Sequence, residues 1–262
     1  MTWQGGRRTR ISTLFAIALA VRDGLFATRL SHDLLPAAAL TVGLAWLAYR
    51  LGEVSASGAM AGVSVSLVLY AAAGLGGFFV LGVVFVITAV SSRFGRERKR
   101  ALGIAESRRG RNAWQILANL VAGSVLSLAA SLYGHPWLFV CALAALAEAA
   151  ADTASSEVGK GIPGNVYLIT SLRRVAAGVD GGVSAAGTTA GIVAAAAIAL
   201  SAAAWGLIGL RETGVVTLAA VIGAVADSVL GATLQRAGWL TNSAVNLAGT
   251  ICAATVALTL VR

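Results

Sequence analysis

An all-α fold, a polytopic integral membrane helical bundle, is what this sequence predicts, and three observations predict it. Of 262 residues, 58% are hydrophobic and only 12% are charged, where soluble domains carry about 25% charged residues. Mean hydropathy is +0.82. The apolar residues come in runs approaching the roughly 20 residues that a helix needs to cross a bilayer, which gives room for about eight or nine transmembrane helices with short connections.

The expected spans are 11–30, 34–50, 54–72, 74–92, 114–132, 136–151, 185–209, 214–234 and 243–261. Residues 1–33 read as a basic segment with Arg7, Arg8 and Arg10, followed by a first helix that is partly interfacial because Arg22 and Asp23 interrupt it. The apolar run Ile11 to Val21 resembles a signal peptide, but no soluble mature domain follows it. Residues 34–262 read as one helical membrane domain with two polar connections, 93–113 and 152–184. The first connection holds the densest charge block, Arg93, Arg96, Arg98, Lys99, Arg100, Arg108, Arg109 and Arg111, which the positive-inside rule places in the cytoplasm. Nine spans then put the N-terminal arginines, Arg50, Lys160, Arg173, Arg174 and Arg236 on the same side and leave Arg29, Arg211 and Arg262 outside. The second connection contains Gly159, Gly161, Pro163, Gly164, Gly178, Gly181 and Gly182. Long connections of this kind are functional or disordered, and Val166 to Ile169 with Val175 favour packing over disorder.

The net charge of +9 reads as topology rather than nucleic-acid binding, because the basic residues flank apolar spans and are not interleaved with aromatics on a soluble domain. Cys141 and Cys252 both fall within expected spans, so neither a disulfide framework nor a CxxC metal site is available. The tryptophans mostly flank spans, as an aromatic belt does. His32 and His135 lie near turns expected on the far side and receive no role. Glycine pairs four apart, Gly58 with Gly62 and Gly187 with Gly191, are candidates for close helix contacts.

Ionisable groups within a span are costly and mark function by default. Asp152 ends the sixth expected span, Glu157 follows, and Asp227 lies about 10 Å of helix below the cytoplasmic end of the eighth. Asn119 lies just inside the fifth span, Ser184 and Thr188 open the seventh, and Asn242 and Asn246 open the ninth. All fall at one depth, which predicts a single cytoplasmic-side cavity. Gathered carboxylates repel one another, and a divalent cation relieves this; Mg2+ uses one or two carboxylates plus substrate phosphates. Lys160, Arg173, Arg174, the arginines at 108, 109 and 111, and the backbone amides of Gly181 and Gly182 stand ready for phosphate. Phosphoryl transfer needs little else, since metal, cations and in-line positioning supply most of the stabilisation. Taken singly, Asp152 is also a plausible interfacial helix end and Asp227 a structural hydrogen-bond partner. Glu148 lies about 40° from Asp152 on the helical wheel, sharing its face, and reads equally well as an incidental polar residue near headgroups or water.

There is no GxxxxGK[ST] loop, aspartate-rich prenyltransferase pair, HExxH site or G-x-S-x-G elbow. Soluble nucleotide folds are thereby excluded, and any nucleotide must bind the helical site itself.

Five ordered stretches carry a family resemblance. They are Arg111-Asn112-Ala113-Trp114-Gln115-Ile116-Leu117-Ala118-Asn119, Ala151-Asp152-Thr153-Ala154-Ser155-Ser156-Glu157-Val158-Gly159, Gly181-Gly182-Val183-Ser184 with Gly187-Thr188, Asp227 through Thr233, and Asn242 through Asn246. Together they resemble the transmembrane protein 19-like family over roughly residues 30–262. Its best-understood members are plant phytyl-phosphate kinases, which convert a prenyl monophosphate to the diphosphate. The Asp-Thr-Ala and Glu-x-Gly-Lys elements also look like the nucleotide site of dolichol and phytol kinases and of phosphatidate cytidylyltransferases, all users of CTP. The resemblance implies a kinase dependent on CTP or another nucleoside triphosphate, with Asp152, Glu157 and Asp227 as the metal and phosphate centre and Mg2+ as the cation. Two departures stand out: Ser243 occupies a position that is often acidic, and Ala176 and Ala177 replace prolines before the Gly-Gly pair. The same parts would also serve a CDP-lipid-forming cytidylyltransferase. A transporter or flippase is the rival from another class, although it should carry polar groups in the outer half as well. The implied partners are membrane lipid, a prenyl or alkyl phosphate and a nucleotide, with no nucleic acid; oligomeric state stays open.

Overall fold

The computed structural model describes residues 36–105 and 110–262. The chain divides into two compact units, Met1–Gly43 and Leu44–Arg262. The expected first span at 11–30, the basic segment with Arg7, Arg8 and Arg10, His32, and the arginines at 108 and 109 lie outside the described residues. Residues 36–50 are helical and are called α1.

Helix α2, Ala56–Arg93, starts where the Ser55 hydroxyl accepts a hydrogen bond from Gly58 N at 3.2 Å, an N-cap that satisfies one orphan donor. Drawn out straight, such a helix would measure about 57 Å, nearly twice the roughly 30 Å of hydrocarbon in a bilayer. It does not run straight. Gly74 has φ 61 and ψ −151, a conformation open to glycine and hostile to a β-carbon, and the chain folds back there. The rings of Tyr70 and Phe78 meet edge-on with centroids 6.5 Å apart. Arg93 Nε donates to Glu53 Oε1 at 2.7 Å, so residues at the two ends of the hairpin are in contact. The arms, 56–73 and 75–93, correspond to the two spans expected at 54–72 and 74–92.

The short α3, Arg96–Ala101, begins at Gly95. Asn112 and Gln115 then form a reciprocal capping box for α4, Ala113–Tyr133: Gln115 N donates to Asn112 Oδ1 at 3.1 Å, and Asn112 N to Gln115 Oε1 at 2.9 Å. Helix α5 spans Pro136–Gly161 with proline in its first turn, where the missing N–H costs nothing. It runs ten residues beyond the expected end at 151, because the polar residues from Asp152 onward still fit the helix when neighbours enclose them. Thus Asp152 and Glu157 stand on a helix, not in a loop.

After α5 comes a small sheet absent from the all-α expectation: β1 Val166–Leu168, β2 Arg174–Val175 and β3 Gly182–Val183, in the order β2-β1-β3. Both pairings are antiparallel, with Tyr167 opposite Arg174 on one side and Val183 on the other. The remaining elements are α6 Ala185–Ala204, α7 Leu210–Leu230 running into a π-helical turn at Gly231–Gln235, and α8 Asn242–Val261. Six helices among the described residues have the length and hydropathy of a membrane span, fewer than the eight or nine expected. Of the three that make up the difference from nine, one lies outside the described residues, one reduces to α1, and one disappears because the two arms of α2 count as a single helix.

Helix α5 is the central post. In its most apolar stretch 78% of residues are buried, against 22–39% in the other five spanning helices, and α2, α4, α8, α7 and α6 pack around it as a closed ring. Its core face is largely alanine, which lets backbones approach closely where packing rather than water exclusion drives association. A β-carbon on Gly187 would lie 2.5 Å from Ser155 O, and one on Gly191 would lie 3.0 Å from Ala151 O. Of the other pair, Gly58 abuts the Arg111 carbonyl, but Gly62 faces nothing within 4 Å. Gly187→Ala should therefore lower stability by about 1–3 kcal/mol through overpacking. Gly62→Ala should be neutral or stabilise by up to about 1 kcal/mol through helix propensity. Thermal midpoints in detergent compare the two; equal shifts would remove the packing argument for α6 on α5.

The alternating direction of the long helices fixes sidedness. Arg93, Arg96, Arg98, Lys99, Arg100, Arg111, Lys160 and Arg236 lie at the end where α2 closes and α4, α6 and α8 begin, while Arg211 and Arg262 lie at the other. At that other end Trp205 stacks on Phe79 at 5.1 Å, and Arg262 sits 4.9 Å above Trp137, which also stacks with His135.

Candidate phosphate site at the basic end of the bundle

A cavity of about 270 Å³ lies at the basic end, near the roughly 300 Å³ lower bound of small-molecule pockets. Four helices bring polar side chains to it: Gln115 and Asn119 from α4, Asp152, Glu157 and Lys160 from α5, Asp227 and Ser228 from α7, and Asn242 and Asn246 from α8. Arg111, Asp180, Gly181, Gly182, Ser184 and Gln235 also line it, with small and apolar residues such as Ile104 and Val166 between them. Asn246 Nδ2 donates to Asn119 Oδ1 at 2.9 Å, linking α8 to α4.

The carboxyl groups of Asp152 and Asp227 are in direct contact across the α5–α7 interface. Asp227 is 9% exposed, and its Oδ2 has no hydrogen-bond partner among the described residues. Two carboxyl groups pressed together with a buried oxygen left over form a donor set suited to a hard cation. Glu157 behaves differently. Its Oε1 accepts from Lys160 Nζ at 2.5 Å and its Oε2 from Lys99 Nζ at 2.7 Å, so both oxygens are already committed to ammonium groups. The expected metal trio of Asp152, Glu157 and Asp227 is not assembled: no group of three Asp, Glu, His or Cys residues placed to hold a metal occurs among the described residues.

Arg111 donates from Nη2 to Ser92 Oγ at 3.3 Å, and its backbone pairs with Glu53 and Ser55, bridging the entry to α2. Gly181, with φ 73, rests on the π-helical turn; a β-carbon there would lie 2.3 Å from Ala232 Cβ. π-Helical turns are rare and concentrate at functional sites. Ser184 caps α6 by accepting from Gly187 N at 3.2 Å while facing the cavity.

Four expected site residues do not line it. Asn112 is spent on the α4 capping box, Arg173, just before β2, and Arg174, within it, are exposed outside the cavity wall, and Thr188 is exposed on α6, one turn past its start. Two residues, Asp180 and Lys99, lie outside the expected site set, and a third, Glu148, keeps only one of the two readings its position allows. Asp180 precedes the Gly-Gly pair, and its signal was the Asp-Gly-Gly triplet itself. Lys99 stood inside an arginine-rich block that reads as topology, with nothing in the sequence to single it out. Glu148 shares the face of Asp152 as its spacing suggested, yet it is 1% exposed, so contact with headgroups or bulk water is ruled out. Its Oε1 lies against Gly249 without a partner among the described residues.

The fold and this cavity define a polytopic helical membrane protein with a charged site at one end. The integral membrane protein family DUF92 matches residues 39–254, and the chain belongs to it, in agreement with the residue-level resemblance. An uncharacterized membrane protein of Synechocystis is 36% identical over 199 residues, covering 74% of this chain and 77% of the relative. Protein VTE6, chloroplastic, of Arabidopsis thaliana is 32% identical over 203 residues, 74% of this chain and 61% of that protein. An uncharacterized membrane protein of Methanocaldococcus jannaschii is 33% identical over 177 residues, 66% of this chain and 69% of that relative. No solved structure gives a significant match.

Proposed function

We propose that this chain is a membrane phosphotransferase that moves the γ-phosphoryl group of a nucleoside triphosphate onto a prenyl or alkyl monophosphate, giving the diphosphate. The observation that carries the reading is the contact between Asp152 and Asp227 in a polar cavity that also contains Lys160 and Arg111. The excess of basic residues at that end supports a cytoplasmic orientation under the positive-inside rule, on the side where nucleotides are available. Nucleotide choice rests on the resemblance to CTP users, which favours CTP.

Asp152 and Asp227 would hold Mg2+, in keeping with the orphaned Asp227 oxygen and with the habit of Mg2+ of taking one or two carboxylates and leaving its other positions to phosphate and water. When bound, the ion would neutralise charge on the phosphate oxygens. Lys160 and Arg111 bind the phosphates and orient them. The amides at Gly181 and Gly182 are free of side chains that would keep a phosphate at a distance. An oxygen of the lipid monophosphate attacks the γ-phosphorus, the bond to the β,γ-bridging oxygen breaks, and the nucleoside diphosphate leaves with the electron pair. The substrate chain would lie among the apolar helix faces, since the cavity wall is polar.

The test uses the purified protein in detergent with prenyl monophosphates and labelled CTP. Label from the γ-position should appear in the lipid. Label from the α-position with release of pyrophosphate would mean cytidylyl transfer instead, and neither product across several triphosphates would defeat the reading. Lys160→Ala should raise KM for the nucleotide about tenfold or more, the cost of one charge-assisted hydrogen bond, and leave KM for the lipid nearly unchanged. The reverse pattern would reassign Lys160 to the lipid phosphate.

A further inference from the structure

Lys99 belongs to the six-residue α3, outside the ring of long helices, and is not part of the cavity wall. Yet it is 1% exposed. A buried ammonium is tolerated only with close and well-formed partners. Its Nζ donates to Glu157 Oε2 at 2.7 Å, Ser92 O at 2.8 Å and Ser91 O at 3.4 Å, which engages all three of its donors. Ser91 and Ser92 are in the last turn of α2, where the helix dipole favours a cation.

The other oxygen of Glu157 holds Lys160, which does face the cavity. We infer that Lys99 is a positioning residue: acting through Glu157, it fixes the Lys160 ammonium and preserves its positive charge for the phosphates of the nucleotide. The inference rests on the phosphotransfer reading. Two ammonium groups share one carboxylate, so the cluster keeps one net positive charge. Without Lys99, Glu157 and Lys160 would form a neutral pair, and the cavity would face the triphosphate with that much less attraction. The arrangement also ties the end of α2 to the site, since the same Ser92 receives Arg111 on its hydroxyl.

A double-mutant cycle on the full-length chain separates this role from a merely structural one. Lys99→Met should raise KM for Mg-CTP about tenfold, as expected for the loss of one charge-assisted contact, with KM for the prenyl monophosphate within about twofold of wild type on the same basis. Lys99→Arg, which keeps the charge, should restore most of the difference. In a Lys160→Ala background, Lys99→Met should change KM for Mg-CTP by less than about twofold, because the group it acts through is gone. Should Lys99→Met not fold, Lys99→Gln carries the same expectation, since it removes the charge while offering the buried oxygens an amide donor that supports folding. An unchanged KM in Lys99→Met or Lys99→Gln, or a full tenfold effect persisting in the Lys160→Ala background, overturns the inference. A wild-type protein that neither binds Mg-CTP nor turns over prenyl phosphates would instead overturn the reading beneath it.

Discussion

Asp227→Asn is expected to lower turnover by more than about a hundredfold while the protein stays folded in detergent, and Asp152→Asn is expected to do the same. Replacing residues that merely orient a metal ligand costs about 10–100-fold, so if the two aspartates hold Mg2+ as proposed, removing either should cost more. The substitution keeps the shape of the side chain and removes one of two acidic groups buried against each other. Burying a second acidic group beside the first opposes folding. The asparagine variants should accordingly be as stable as the parent, or more stable, in the absence of divalent cations, a pattern in which a functional group is retained at a cost to stability. Mg2+ adds the second half of the expectation. Binding to the folded state alone raises the unfolding midpoint, so the parent should gain stability on adding Mg2+ and both variants should lose that gain. Near-normal turnover in either variant would remove that aspartate from the reaction. A Mg2+-induced shift surviving in both would place the cation elsewhere.

Much of this arrangement was legible because two signals are strong in a membrane. Hydropathy fixed where helices lie, and the rarity of polar groups in apolar spans singled out Asn119, Asp152, Asp227 and Asn246, which converge on one cavity. The hairpin break within α2 was legible too, since a run too long for one crossing must turn somewhere, and Gly74 is where it does. The rest depended on tertiary context. A helix end such as that of α5 cannot be read from hydropathy when neighbours enclose its polar turns, which is why Asp152 and Glu157 seemed to begin a loop. Lys99 looks like any residue of a basic connection until Glu157 is seen beside it. Arg173 and Arg174 show the converse: a pair of cations near a glycine-rich segment suggests phosphate binding, but pairing of Arg174 with Tyr167 leaves both arginines exposed and outside the cavity wall.

The same dependence on context makes Gly181→Val the most severe test of the connection between α5 and α6. Gly181 combines a positive φ of 73 with a backbone packed directly on α7's π-helical turn; an added β-carbon would lie 2.3 Å from Ala232 Cβ and 2.5 Å from Ala232 Cα and N. Ordinary carbon contacts are about 3.5–4.0 Å, so relief requires the segment to shift by more than about 1 Å. Backbone atoms of a helical turn cannot rotate away as a side-chain tip can. The shift would carry Asp180 and Gly182 with it, both on the cavity wall, and misplacement on that scale costs about a hundredfold in rate. The long helices pack independently of this contact, so the thermal midpoint should fall far less than the activity does. Gly164→Ala, in the same connection but with nothing within 4 Å, should behave as wild type. Full activity in Gly181→Val would mean that the Gly-Gly segment is a bystander and that phosphate is held by the helix side chains alone.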